Sequence, residues 1–203
     1  MSKPRAFTLV EVMITLIIVA TLLSLGLATM SGYLPKQRLI ASVSNLENLL
    51  QRAQSEATSR AYWSCVEIQT GVSTRVELFM DTNSNRVCDD TKITDFQLKD
   101  NVQLAGGSTC GSDNPTMGSK VTVWFDTTGI PNKCEDNSGT ITCTPNDFQI
   151  VLSNVKLDSG TKAREVEATR GGLISSVKPG TKGLLTGRWA KYSAGDTTTG
   201  ACE

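Results

Sequence analysis

Apolar residues run almost without a break from Phe7 to Met30, through Val10, Val12, Met13, Ile14, Leu16, Ile17, Ile18, Val19, Leu22, Leu23, Leu25 and Leu27. A helix needs about 20 such residues to cross a bilayer, so the run predicts a transmembrane segment over about residues 7–30. From Lys36 the pattern changes. Leu39, Val43, Leu46, Leu50, Ala53 and Ala57 recur at alternating steps of four and three, with Lys36, Arg38, Asn45, Glu47, Asn48, Arg52, Glu56 and Arg60 off that stripe. This is an amphipathic helix with one face to bury. Membrane half and amphipathic half together predict an N-terminal helical stalk over 7–62, roughly 75 Å long if helical throughout. Gly26, Gly32 and Pro35 cluster between the halves. Each weakens a helix, and two readings stand side by side: a break between two helices, or a segment that partly melts.

After Tyr62 the period shortens to that of strands. Trp63 to Gln69 and Val72 to Met80 flank Thr70-Gly71, which reads as a hairpin turn. Further strands are expected at Thr94–Leu98, Val102–Leu104, Lys120–Phe125, Phe148–Ser153, Ala163–Ala168 and Leu173–Val177. Gly, Asn, Asp, Ser and Pro gather at 106–119 and 126–147, which read as loops. The expected fold class is α+β: a long N-terminal helix packed on an antiparallel β domain spanning residues 63–203. Trp63 and Trp124 read as core residues. The tail from Thr181 to Glu203 carries little pattern.

The apolar run contains one charge, Glu11, behind a basic leader with Lys3 and Arg5. Basic residues at that end place it on the cytoplasmic side of a membrane anchor. A secretory signal would be shorter and would end in a small-residue cleavage site, which does not follow here. A carboxylate deep in a bilayer costs about 2.5–3.5 kcal/mol on insertion scales. It calls for a partner, and a free α-amino group released by cleavage just before Phe7 would serve.

Ala6-Phe7-Thr8-Leu9-Val10-Glu11 resembles the type III signal of type IV pilins and pseudopilins. The resemblance implies a prepilin leader over residues 1–6, cut between Ala6 and Phe7 by prepilin peptidase, with N-methylation of Phe7. Glu11 is then the assembly carboxylate, paired with a neighbouring subunit's amino terminus. The chain departs from the usual pattern in having Ala6 where glycine commonly precedes the cut. Three later stretches are similar to the GspH/FimT/FimU minor pilins: Val123 to Pro131, Val76 to Asn85, and Arg164 to Val177 with Gly171-Gly172. The implied role is a structural filament subunit, a minor pilin or pseudopilin of a type IV pilus or type II secretion-like machine. It would sit in the inner membrane and then in a periplasmic or extracellular filament. Its partners would be other pilin subunits, the peptidase and the inner-membrane assembly platform. Alternatives are a DNA-binding competence pilin and a major pilin.

Composition narrows the chemistry. Lys plus Arg equals Asp plus Glu at 20 each, and loss of residues 1–6 would leave the chain slightly acidic. There is no histidine, which excludes His-based triads and His metal ligands. No nucleophile motif or phosphate-binding loop appears, so no enzymatic activity and no resident cofactor are expected.

Cys65, Cys88, Cys110, Cys134, Cys143 and Cys202 all follow the apolar run, an even number suited to disulfides in an oxidising compartment. Cys134 with Cys143 is the expected pair, because they enclose the turn signal Asn137-Ser138-Gly139. Cys88 with Cys110 and Cys65 with Cys202 complete one arrangement. Asp81, Asn83, Asn85 and Asp89 place side-chain oxygens as in the first part of a calcium loop. Arg86 stands in place of the turn glycine, however, and Lys92 in place of the bidentate glutamate. The competing reading is a polar turn whose side chains cap their own backbone. Arg188 and Lys191, beside Trp189 and Tyr192, form a candidate nucleic-acid patch that Arg164, Arg170, Lys178 and Lys182 could enlarge. Glu165, Glu167 and Asp196 interrupt it.

Overall fold

The computed structural model describes residues 8–69, 74–88, 90–104, 120–137, 140–154, 156–157 and 163–177. The stalk is one helix, α1, Leu9–Arg60. It passes through Gly26, Gly32 and Pro35 without interruption, so the expected break between two helices is not seen. The Pro35 carbonyl is tied to the β domain, accepting a buried hydrogen bond of 3.1 Å from Asn154 Nδ2. α1 ends in an ordinary way: Arg60 lies in the last turn, 2.6 Å from Glu56, and Ala61 takes the left-handed conformation that stops the helix. Among the described residues no helix is long and apolar enough to cross a membrane. The described apolar side chains run from Leu9 to Ser24, and those of 25–32 lie outside the description.

Ten strands follow among the described residues: β1 Trp63–Gln69, β2 Arg75–Asp81, β3 Thr91–Gln97, β4 Val102–Leu104, β5 Lys120–Phe125, β6 Pro131–Asn137, β7 Thr140–Pro145, β8 Phe148–Asn154, β9 Ala163–Ala168 and β10 Ile174–Val177. They form two antiparallel sheets, ordered β3-β2-β1-β5-β6-β7 and β10-β9-β8-β4. The C-terminal half of α1 packs against both. Its stripe of Leu39, Val43, Leu46, Leu50, Ala53 and Ala57 is buried, as the spacing predicts. Val66, Ile68, Val76, Leu78, Val123 and Phe125 meet it from the larger sheet, and Ile150, Leu152, Val166 and Ala168 from the smaller. Alternation along the strands puts the intervening residues on the far face. There Glu67 stands opposite Glu77. Lys120 neutralises the first at 2.9 Å and Lys92 the second at 2.8 Å.

β6 and β7 overturn the expectation of a loop over 126–147. The turn-forming residues sit at the two ends of this hairpin rather than along it. Cys134 lies directly opposite Cys143, and the two are disulfide-bonded as expected. The other proposed pairings do not survive: Cys65 bonds Cys88. The loop after β2 folds back over β1, bringing Cys88 to a strand only 23 residues earlier in the chain. Cys110 and Cys202 lie outside the described residues, as do the turn at Thr70-Gly71, the segment 106–119 and the tail from Thr181. Trp124 is buried as expected, but Trp63 is only half-buried, with the Arg86 guanidinium over its ring.

Candidate assembly site

Thr8 begins the site. It is extended (φ −79, ψ 148) and caps α1, its hydroxyl oxygen accepting from the Glu11 amide at 3.3 Å. Thr8-Leu9-Val10-Glu11 has the sequence form of a capping box, a Ser or Thr followed three residues later by Glu. The carboxylate therefore lies in the first turn, where the helix dipole favours negative charge. That capping role was legible in the sequence and was missed. Ala6 and Phe7 lie outside the described residues.

Beyond Glu11 the helix presents apolar side chains on every side. Leu9 is 76 % exposed, and Val10, Met13, Ile14, Leu16, Ile17, Leu22 and Leu23 are exposed as well. A helix apolar all round is suited to lipid or to the middle of a bundle. The few hydroxyls in it are turned inward. Thr15 donates to the Val12 carbonyl at 2.9 Å, Thr21 to Ile18 at 2.8 Å and Ser24 to Thr21 at 2.8 Å. These groups need no water, which is the condition for placing them in an apolar medium. Glu11 is the one charged residue from Leu9 to Ser24.

The β domain is held to α1 by polar contacts at both ends of the packed half. Lys99 N donates to Ser42 Oγ at 3.3 Å, and buried Ser64 Oγ donates to the Ala53 carbonyl at 2.9 Å. Gln54 Nε2 donates to two turn carbonyls, Gly129 O at 2.9 Å and Gly172 O at 2.8 Å. The first turn is organised by Asp126. Its Oδ1 accepts from Thr128 N, Thr128 Oγ1 and Ile130 N at 2.8, 2.6 and 3.0 Å, and its Oδ2 accepts from Asn132 Nδ2 at 3.3 Å. Partial burial pushes the Asp126 carboxyl up. The donors, led by the Thr128 hydroxyl, outweigh burial and hold it below the usual carboxylate range. A depressed folded-state pKa contributes stability above the unfolded value of about 3.9, lost as pH falls through the folded value. Asp126→Asn should therefore lower urea stability at neutral pH and flatten its decline below about pH 4. An acid limb as steep as that of the unaltered chain would count against this assignment.

The calcium-like loop spends its oxygens internally. Asn83 Oδ1 accepts from Asn85 N at 2.9 Å and Asn85 Oδ1 from Val87 N at 2.8 Å. Asp90 Oδ2 accepts from Thr82 N at 2.7 Å and Asn83 N at 3.1 Å, and also from the Thr82 hydroxyl. Asp89 lies outside the described residues. No group of three or more His, Cys, Asp or Glu side chains placed to hold a metal ion occurs among the described residues. Arg188 and Lys191 also lie outside them. Of the residues that could enlarge their patch, Arg170 is paired with Asp147 at 3.2 Å.

Residues 1–27 match the prokaryotic N-terminal methylation motif. No curated protein matches the chain. Among solved structures, the chain is similar to the type IV minor pilin FimU of Pseudomonas aeruginosa. Identity is 13 % and TM-score 0.41, over 68 % of this chain and 87 % of that one. It is also similar to the minor pseudopilin EpsH of the type 2 secretion system of Vibrio cholerae. Identity there is 15 % and TM-score 0.44, over 71 % of this chain and 99 % of that one. The motif match spans residues 1–27 and so takes in the start of α1, including Glu11.

Proposed function

We propose that the protein is a minor subunit, of the GspH/FimT/FimU kind, in a type IV pilus or type II secretion-like filament. The observation that carries this reading is the apolar half of α1: exposed on all sides, its hydroxyls satisfied internally, with Glu11 its one charge from Leu9 to Ser24. Such a segment has two suitable environments, the bilayer and the centre of a helical bundle. The inner membrane holds the subunit first, with the β domain in the periplasm, and the filament core receives it afterwards. In the core Glu11 sits beside the amino terminus of a neighbour. The β domain then faces outward and supplies the contacts to other pilins.

Processing tests this reading. Full-length protein made together with a prepilin peptidase should lose residues 1–6 and begin at N-methylated Phe7, read by intact-mass and N-terminal peptide spectrometry. Ala6→Gly should be cut at least as fast. An uncut chain, or a mature chain beginning elsewhere, would sink the proposal.

A further inference from the structure

Asp81 closes β2 with its side chain only 1 % exposed, and a carboxylate so placed needs a full set of partners. Its Oδ1 accepts from the Asn85 amide at 3.0 Å. Its Oδ2 accepts from the Arg86 amide at 3.1 Å and from Arg86 Nη1 at 2.7 Å. The same guanidinium lies over Trp63, its Cζ 4.0 Å from the ring centroid, a favourable place for a cation.

Arg86 has φ 59, in the left-handed region that glycine adopts most readily. Counted from Asp81 as first, it occupies the sixth place, where calcium loops carry glycine for the sharp turn. The chain thus shares with a calcium loop a left-handed residue at the sixth place, although Ser84 is left-handed here too (φ 61), and it places a positive charge of its own on the first carboxylate.

We propose that Arg86 is the resident cation of this loop, neutralising Asp81 and ordering residues 81–88 without a metal ion. The Cys65–Cys88 disulfide pins the far end to β1. The loop is then a rigid part of the domain surface whatever the surrounding calcium concentration. This inference does not depend on the filament reading.

Thermal unfolding of the full-length protein in detergent tests it. The unaltered chain should have the same midpoint in millimolar calcium chloride as in EDTA. Arg86→Gln, which is shorter and keeps polarity without charge, should lower the midpoint by roughly 10 °C. Arg86→Lys, which keeps the charge, should lose less than half of that. A Gln variant that fails to fold beside a folded Lys variant gives the same answer. Equal losses from the two, failure of both to fold, or a calcium-raised midpoint in the unaltered chain would overturn the proposal.

Discussion

Glu11→Ala should enter the membrane at least as well as the unaltered chain and be almost absent from sheared filaments. The two outcomes follow from one charge in two apolar surroundings. In the bilayer Glu11 has only its own chain and the headgroup region to satisfy it, so removing it lowers the cost of insertion. On the proposed filament reading, the carboxylate faces a neighbour's cationic terminus in the core. Deleting it leaves that terminus buried and unpaired, at a cost of about 3–5 kcal/mol. At 1.4 kcal/mol for each factor of ten, that is roughly a hundredfold loss of incorporation or more. Glu11→Asp, which retains the charge on a side chain shorter by one methylene, should fall between. Immunoblots of membrane and sheared-filament fractions at native expression read both quantities. Normal incorporation of the alanine chain would remove Glu11 from assembly.

The sequence was informative where a periodic pattern met a single large surface. The stripe from Leu39 to Ala57 had one solution, burial against the sheets, and all six of its residues are buried. β1, β4, β5 and β9 were legible to the residue, because each is a short apolar or alternating run bounded by turn residues. β6 and β7 were not. Pro131, Asn132, Asp136 and Asn137 read as loop residues, yet Asn132 is buried with its amide on the Ile130 carbonyl, so a local polar contact satisfies what composition marks as exposed. The Cys65–Cys88 bond was hidden for a different reason. It depends on the loop after β2 doubling back across β1, which no short-range pattern encodes. At the candidate site, the motif around Phe7 and Glu11 was plain in the sequence, whereas the service of Arg86 to Asp81 needed coordinates. An arginine in the place of a turn glycine reads as a defect until its charge is seen on the carboxylate.

Gln54→Leu should lower the stability of the domain by about 2–4 kcal/mol, an effect out of proportion to a half-buried side chain. The reason lies in what its one amide group joins. Gly129 closes the turn from Asp126 to Ile130 between β5 and β6, and Gly172 closes the turn from Thr169 to Leu173 between β9 and β10. The two turns share a hydrogen-bond pattern and belong to different sheets. Both glycines have positive φ, 82 and 78, and a Cβ on either would approach Gln54 to 3.0 Å, so the turns are fitted to this side chain. Leucine matches glutamine in size but leaves both carbonyls without their donor, at about 1–3 kcal/mol each, with solvent access holding the sum below the upper limit. Gln54→Glu is the sharper control. Its carboxylate offers no donor at neutral pH, and once protonated in acid it offers one, so its deficit should shrink there. Urea unfolding gives the magnitude, and amide exchange at Gly129 and Gly172 should quicken beyond the change in global stability. A Leu variant within about 0.5 kcal/mol of the parent would mean that water replaces the amide, and that packing between α1 and the two sheets suffices to hold them together.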